Sequence, residues 1–233
     1  MKLPDKHTRL PQKKTGVLLI NLGTPDSTNW WDIRKYLKEF LSDKRVIEVN
    51  PILWQIILNL FILTFRPSKT AKAYQKIWMK KQNMSPLRYF TIKQTTNLQK
   101  RMKSKFIEID YAMRYGNPSI ENGINELNKK GVKEILLIPL YPQYAMASTE
   151  TILVLAEEIR KEKFPDIAFT NIPSFYNHPD YIKVLSESIQ NYLKNKDWEH
   201  LLFSYHGIPE RHIRKSDITS SHCKIDSSCC SVS

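Results

Sequence analysis

His206 is the residue of this chain best suited to chemistry. It stands in the segment Ser204–Pro209 (SYHGIP), directly after a predicted buried strand and directly before Gly207. An imidazole can accept a proton or bind a transition metal near neutral pH. A histidine in this place can also serve only as a structural hydrogen-bonding group, and both interpretations stay open. The other five histidines fall in predicted loops, helix starts or tails and are not candidates: His7, His178, His200, His212 and His222.

Three of the six glycines, Gly23, Gly116 and Gly207, directly follow predicted strands. Glycine at a strand end allows a tight turn and lets a ligand come close to the backbone, although a plain turn is the simpler explanation. In an open parallel sheet, ligands bind outside the carboxyl ends of the strands. We therefore expect a binding site at the strand ends 21–25, 114–118, 141–144 and 204–209.

The elements that must position these residues alternate between short apolar runs and helical patterns. This alternation predicts βαβ units and a parallel sheet, and therefore an α/β fold. Ser85 followed by Pro86 is typical of a helix start, and Gly131 of a helix end. A domain boundary is expected between about Phe175 and Asp197. The predicted strands are Val17–Leu22, Ile107–Tyr115, Glu134–Leu140, Ala168–Ile172 and Leu201–Tyr205.

Composition excludes several function classes. The net charge is +13, but the basic residues are scattered, so we expect a solvated surface attracted to anionic partners and no nucleic-acid binding. The chain has neither glycine-rich phosphate-binding motif, which argues against dinucleotide binding. The three cysteines, Cys223, Cys229 and Cys230, are odd in number and clustered, so they do not form a disulfide framework.

Two segments bear on membrane contact. Met1–Lys14 is basic without an apolar centre, so we do not expect a secretory signal. Ile52–Phe65 is apolar but shorter than the roughly 20 residues that span a bilayer. Its basic flanks suit a helix lying on an anionic lipid surface, and a core helix is the alternative.

Six motifs, taken in order, resemble those of ferrochelatases, the enzymes that insert ferrous iron into protoporphyrin to make haem. The resemblance is closest to the proteobacterial type, whose substrate is protoporphyrin IX. The motifs are residues 16–26 (GVLLINLGTPD), 40–46 (FLSDKRV), 85–87 (SPL), 114–118 (RYGNP), 139–144 (PLYPQY) and 204–209 (SYHGIP).

The resemblance implies a class II chelatase fold of two flavodoxin-like halves, each a parallel sheet with flanking helices, with the porphyrin between them. It divides this chain into a basic tail (1–14), a first flavodoxin-like domain (15–175) with a cleft lip at about 44–72, the start of the second domain (176–212) and a cysteine-containing tail (213–233).

By the same resemblance, His206 binds the metal and takes part in removing the pyrrole protons. Ferrous iron is then a substrate, and no cofactor is expected. The apolar segment Ile52–Phe65 becomes the lip that faces the membrane, so we expect a cytoplasmic protein, peripheral on the inner membrane. The substrate-binding residues implied are Leu22 beside the porphyrin face, Arg66 near the propionates, Ser85 and Tyr141 in the cleft, and Arg114 and Tyr115 on the wall opposite the histidine.

The chain also departs from the family pattern. It is short for a ferrochelatase and lacks the acidic residue that works with the histidine. Met146 stands where some relatives have a cluster-binding cysteine, so we do not expect an iron–sulfur cluster. We expect negligible iron insertion by these residues alone. The alternative to an enzyme is a porphyrin- or metal-binding fragment without turnover, from a split or decayed gene.

Overall fold

The computed structural model of the protein describes residues 13–219 and 221–223. Within these ranges the chain forms two compact units. The first comprises 13–140 and 151–172, and the second comprises 141–150, 173–219 and 221–223. Residues 141–150, which interrupt the first unit, belong to the second unit.

The first unit is built on a parallel four-stranded sheet with the order β2-β1-β3-β4. This order matches the first four strands of a flavodoxin-like sheet and confirms the predicted α/β fold. The strands are β1 (Thr15–Thr24), β2 (Ile107–Gly116), β3 (Glu134–Pro139) and β4 (Ala168–Asn171).

Helices cover the sheet and extend beyond it. A π-helical turn (Met146–Glu150) lies in the second unit, and two helices follow β4. Three consecutive helical segments form one continuous helix, Pro51–Ile77, which we call the lip helix. The helices are α1 (Trp30–Ser42), α2 (Pro51–Ile57), a π-helical turn (Leu58–Ile62), α3 (Leu63–Ile77), α4 (Pro86–Met102), α5 (Ile120–Lys129), α6 (Thr151–Lys163), α7 (Pro179–Leu193) and α8 (Glu210–Ser216).

The helix signals predicted at Ser85 and Gly131 are found. The Ser85 hydroxyl accepts a hydrogen bond from the Arg88 amide at 3.2 Å and caps α4. Gly131 follows α5 with a φ of +81°, as a C′ glycine does. At the start of α5 the cap is Ser119, and Pro118 lies before it after a cis peptide bond.

Both faces of β1 are buried, as its continuous apolar run predicted. Val17 and Leu19 pack with Ile109 on one face, where Leu98 of α4 covers them. Leu18 points to the other face, against α5. A Cβ on Gly123 of α5 would lie 2.8 Å from the Leu18 side chain, so this helix packs closely because it has a glycine there.

The predicted strand Leu201–Tyr205 is wrong for this structure. Residues 201–209 have no regular secondary structure, and their side chains are exposed. A strand is held by hydrogen bonds to a neighbouring strand. Within the described residues this segment has no hydrogen-bonded partner strand, so its apolar residues do not form one.

The lip helix has 27 residues and is longer than the apolar segment Ile52–Phe65 identified in the sequence. Among residues 13–219 and 221–223 it is the one helix whose length and composition could cross a membrane. The short length of the apolar run therefore does not by itself exclude a membrane-spanning helix. One side of the helix is buried in the core of the first unit through Leu58, Leu63 and Ala71. Its other side exposes Ile52, Leu53, Ile56, Leu60, Phe61 and Phe65.

Candidate functional site

The carboxyl ends of β1 and β2 approach each other through two glycines. Gly23 has a φ of +117° and Gly116 a φ of +84°. A Cβ on Gly23 would lie 1.8 Å from the Tyr115 carbonyl oxygen, and a Cβ on Gly116 would lie 2.6 Å from the Thr24 carbonyl oxygen. Strand pairing therefore requires both glycines, whether or not a ligand comes near.

An arginine on α4 ties the two loops that follow these strands. The Arg88 Nη2 donates to Asp26 Oδ1 at 2.7 Å and to the Asn117 carbonyl at 3.0 Å. The Asn117 side-chain amide donates to the other Asp26 oxygen at 2.6 Å. The loops after β1 and β2 are thus held together by one ion pair and its hydrogen bonds.

A second carboxylate, Asp43, lies at the end of α1 and is almost fully buried. Its Oδ2 accepts from Arg114 Nη2 at 2.5 Å, from the Tyr115 hydroxyl at 2.8 Å and from the Thr151 hydroxyl. The Arg114 Nε donates to Thr151 Oγ1 at 2.7 Å, which closes the cluster. The other oxygen, Oδ1, accepts from the Arg45 amide at 2.8 Å. We call these four side chains the Asp43 cluster.

The surroundings keep Asp43 ionised. Burial alone would raise the pKa of its carboxyl, but the hydrogen bonds from Thr151, Arg45 and Tyr115 and the charge of Arg114 together hold that pKa below its ordinary value. Burial raises the pKa of Tyr115, so its hydroxyl stays protonated and donates. The cluster is therefore one buried anion matched by one partly buried cation.

Two predicted cleft residues, Arg114 and Tyr115, are part of this cluster. Tyr115 is fully buried, with its ring edge-on to Phe40 at 5.1 Å between centroids and the Arg114 guanidinium carbon 4.4 Å from its own ring centroid. Their polar atoms are engaged by Asp43 and Thr151. Contact of these two residues with a porphyrin stays a prediction.

Two other predicted residues also have structural partners. Ser85 is buried as the cap of α4. Leu22, near the end of β1, packs partly buried against the core shared by α1 and the lip helix. Leu22 lies near the carboxyl end of β1, where the sequence predicted the site, whereas Ser85 lies at the start of a helix that follows another helix. The roles of both residues toward a ligand stay predictions.

Arg66 lies in a shallow groove of about 710 Å³ on the lip helix. Phe61, Ile62 and Phe65 form its apolar wall, and Lys69 stands one helical turn beyond Arg66. Both cationic side chains belong to exposed residues. An apolar surface next to two cations suits a flat apolar molecule that carries carboxylates.

His206 and Tyr141 belong to the second unit. His206 is exposed, and its Nδ1 lies 2.7 Å from the carbonyl oxygen of Gly207. Because a carbonyl only accepts, this contact requires a proton on Nδ1 and leaves the lone pair on Nε2 of the neutral ring. Such a nitrogen can take a proton or bind a metal. Tyr141 is half-buried in the loop that follows β3.

No group of three or more metal-binding side chains occurs in the part of the chain that the structure describes. Cys223 is described there with a free thiol. Cys229, Cys230 and residues 1–12 of the basic tail lie outside the described residues.

Sequence reasoning missed Asp43 and Arg88, which organise the strand ends. Asp43 lies within the motif FLSDKRV, directly after the last residue of α1. An aspartate at that place was a usable signal, but its partners are far away in sequence. Arg88 had no such signal, since its partners Asp26 and Asn117 lie 62 and 29 positions away in the sequence.

Comparison with known proteins gives consistent matches. The family model described as Ferrochelatase matches residues 14–230. A ferrochelatase of Agrobacterium fabrum is 43% identical over 226 residues, covering 95% of this chain and 65% of the relative. A ferrochelatase of Francisella tularensis subsp. tularensis is 42% identical over 212 residues, covering 90% of this chain and 63% of the relative. The chain thus spans 63–65% of the length of these curated relatives.

Proposed function

The chain belongs to the ferrochelatase family, and from this premise we propose that it carries porphyrin-binding and metal-binding residues of an enzyme that inserts ferrous iron into protoporphyrin IX. The product is protohaem, and the step is the last of haem biosynthesis. The family match over residues 14–230 is the observation that carries the proposal.

The groove on the lip helix supports the choice of substrate. Protoporphyrin IX is a flat apolar ring with two propionate carboxylates. Phe61 and Phe65 offer an apolar surface to such a ring, and Arg66 offers a planar guanidinium that pairs well with a carboxylate. We assign Arg66 to one propionate.

The reaction needs a base as well as a binding surface. When Fe²⁺ enters the ring, two pyrrole N–H bonds break and two protons leave, so the iron porphyrin formed is neutral at its centre. The lone pair on the His206 Nε2 is proposed to contact the metal before it enters the ring and, once the metal has left this nitrogen, to accept one of the two protons. The second proton needs another acceptor.

The alternative function is binding of porphyrin or metal without turnover. It is favoured by the state of residues 201–209, which are irregular and exposed around His206. A catalytic base works best when surrounding groups fix its orientation. In this structure the contact that orients the His206 ring is to the carbonyl of the next residue.

The exposed side of the lip helix is proposed to contact the anionic surface of the inner membrane from the cytoplasm. Phe61 is 60% exposed and Phe65 is 72% exposed, and both line the same groove, which is unusual for large apolar side chains. Arg66, Lys69 and Lys72 follow them on the same helix. Apolar residues combined with cations are typical of helices that lie in a lipid interface.

Anaerobic haem formation, or zinc porphyrin formation as a surrogate, tests the proposal. We would assay the 233-residue chain alone and a chimera in which the matched region is continued by the remaining part of the Agrobacterium fabrum relative. We expect turnover by the chimera, negligible turnover by the chain alone, and loss of the chimera's turnover in His206→Ala. His200→Ala, in another exposed histidine of the same unit, is the matched control and should leave turnover unchanged. An active His206→Ala chimera would remove His206 from the chemistry.

A further inference from the structure

The lip helix is connected to the sheet through a short turn that is built on Asp43. The Asp43 carbonyl accepts from the Val46 amide at 3.0 Å and the Ile47 amide at 2.9 Å, and its Oδ1 accepts from the Arg45 amide. Only three residues separate Ile47 from Pro51, the first residue of the lip helix. The conformation of this turn therefore sets where the lip helix begins.

The other oxygen of Asp43 fixes the same turn to the sheet. Oδ2 receives hydrogen bonds from Arg114 and Tyr115 at the end of β2 and from Thr151 at the start of α6. The side chain of Asp43 is only 4% exposed, so water does not compete effectively for these bonds. One carboxylate thus joins α1, β2, α6 and the base of the lip helix.

We propose that Asp43 is a positioning residue that fixes the base of the lip helix, and with it the groove that contains Arg66. The consequence for porphyrin binding rests on the proposed function, whereas the hold on the lip does not. Asp43 itself would not touch the substrate. It would act through the turn 43–47 and through Arg114, whose charge it balances.

The structure offers a matched control in Asp26. Asp26 also pairs with an arginine, Arg88, at 2.7 Å, and it also lies at a strand end. Its partners are Arg88 and Asn117, so removing its charge weakens the contact between the loops after β1 and β2 without touching the turn 43–47. Asp43→Asn and Asp26→Asn both lose an ion pair, but only Asp43→Asn is expected to loosen the lip helix.

Limited trypsin digestion reports on the turn directly, because Lys44 and Arg45 lie in it. The full chain, Asp43→Asn, Thr151→Val and Asp26→Asn would be digested at a temperature where circular dichroism shows each to be folded. Cleavage after Lys44 or Arg45 would be timed by mass spectrometry. We expect it to be at least about tenfold faster in Asp43→Asn, and faster to a smaller degree in Thr151→Val, because local opening precedes cleavage. Asp26→Asn should match the unsubstituted chain.

Protoporphyrin affinity, measured by fluorescence titration of the same four proteins, is the second readout. The dissociation constant should rise several-fold in Asp43→Asn and by a smaller factor in Thr151→Val. The proposal would be overturned if Asp43→Asn and Thr151→Val were cleaved no faster than Asp26→Asn. It would also be overturned if Asp43→Asn were cleaved faster but bound protoporphyrin with unchanged affinity. If Asp43→Asn does not fold, Thr151→Val decides. If the unsubstituted chain binds no porphyrin, the proposed function fails for this chain, while the cleavage rates still decide whether Asp43 holds the lip.

Discussion

Gly23→Ala should be among the most damaging single-methyl additions in this protein. The backbone at Gly23 has a φ of +117°, a conformation that side chains other than glycine rarely adopt. The added Cβ would also lie 1.8 Å from the Tyr115 carbonyl oxygen and 2.9 Å from the Tyr115 amide nitrogen. Since these are backbone atoms of the neighbouring strand, no side-chain rotation can relieve the contact.

The expected cost follows from these two effects. Holding alanine in a sparsely populated backbone region costs about 1–3 kcal/mol. Relieving the contact means separating the ends of β1 and β2, where Gly23 pairs with Tyr115 and Thr24 pairs with Gly116. Each backbone hydrogen bond lost there costs about 0.5–1.5 kcal/mol. The free energy of unfolding of the first unit should therefore fall by about 3 kcal/mol or more, a large share of a typical domain's stability.

Two other glycines separate the effects. Gly131 also has a positive φ, +81°, but nothing lies within 4 Å of a Cβ built on it. Gly131→Ala should show the backbone cost alone, about 1–2 kcal/mol. Gly207 has open space around it and no positive φ, so Gly207→Ala should change stability by less than about 0.5 kcal/mol.

Urea unfolding followed by tryptophan fluorescence is a suitable assay. Four of the five tryptophans precede residue 140 and lie in the first unit, so the signal reports mainly on that unit. A Gly23→Ala protein that loses no more stability than Gly131→Ala would refute the argument. It would mean that the strand ends separate at little cost, and that strand pairing does not explain the glycine.

Three further predictions concern the cluster, the groove and the lip. Because the pKa of Asp43 is lowered on balance, against burial that would raise it, its ionised form stabilises the fold. The stability difference between the unsubstituted chain and Asp43→Asn should be full above about pH 4 and shrink as the pH falls through the folded-state pKa, as urea titrations at several pH values will show. Arg66→Ala should raise the protoporphyrin dissociation constant about tenfold, because one charge-assisted hydrogen bond is lost. Lys76→Ala, on the same helix but outside the groove, should leave it unchanged. Equal affinities of the two variants in a fluorescence titration would remove Arg66 from the site. The chain should sediment with anionic liposomes and the double variant Leu60→Asp, Phe61→Asp should not; if neither form sediments, the exposed side of the lip helix does not bind lipid.

Much of the fold follows from local features of the sequence. β1 was predicted from its continuous apolar run, which arises because helices cover both faces of a parallel sheet. The start of α4 was predicted from Ser85 and Pro86, because a hydroxyl cap and a proline act within one helical turn. In each case the residues that decide the structure are neighbours in sequence.

The Asp43 cluster could not be predicted in this way. Asp43 meets Arg114 and Tyr115 across 71 and 72 positions and Thr151 across 108. No periodicity or spacing within a window of the sequence indicates such a meeting. The strand predicted at 201–205 is absent for a related reason. Its apolar pattern is local, but a strand also needs a partner strand, which the local pattern does not specify.

The proposed recognition and the proposed chemistry belong to different units of the chain. Arg66 lies in the first unit, in a groove that the lip helix forms by itself, and His206 lies in the second. An interaction made equally with substrate and transition state changes binding, whereas one made only as the protons leave changes the rate. Arg66→Ala should therefore weaken binding in the chain and in the chimera alike. His206→Ala should leave porphyrin affinity nearly unchanged while it abolishes metal insertion by the chimera, and comparable losses of affinity in both variants would show that binding and chemistry are not divided in this way.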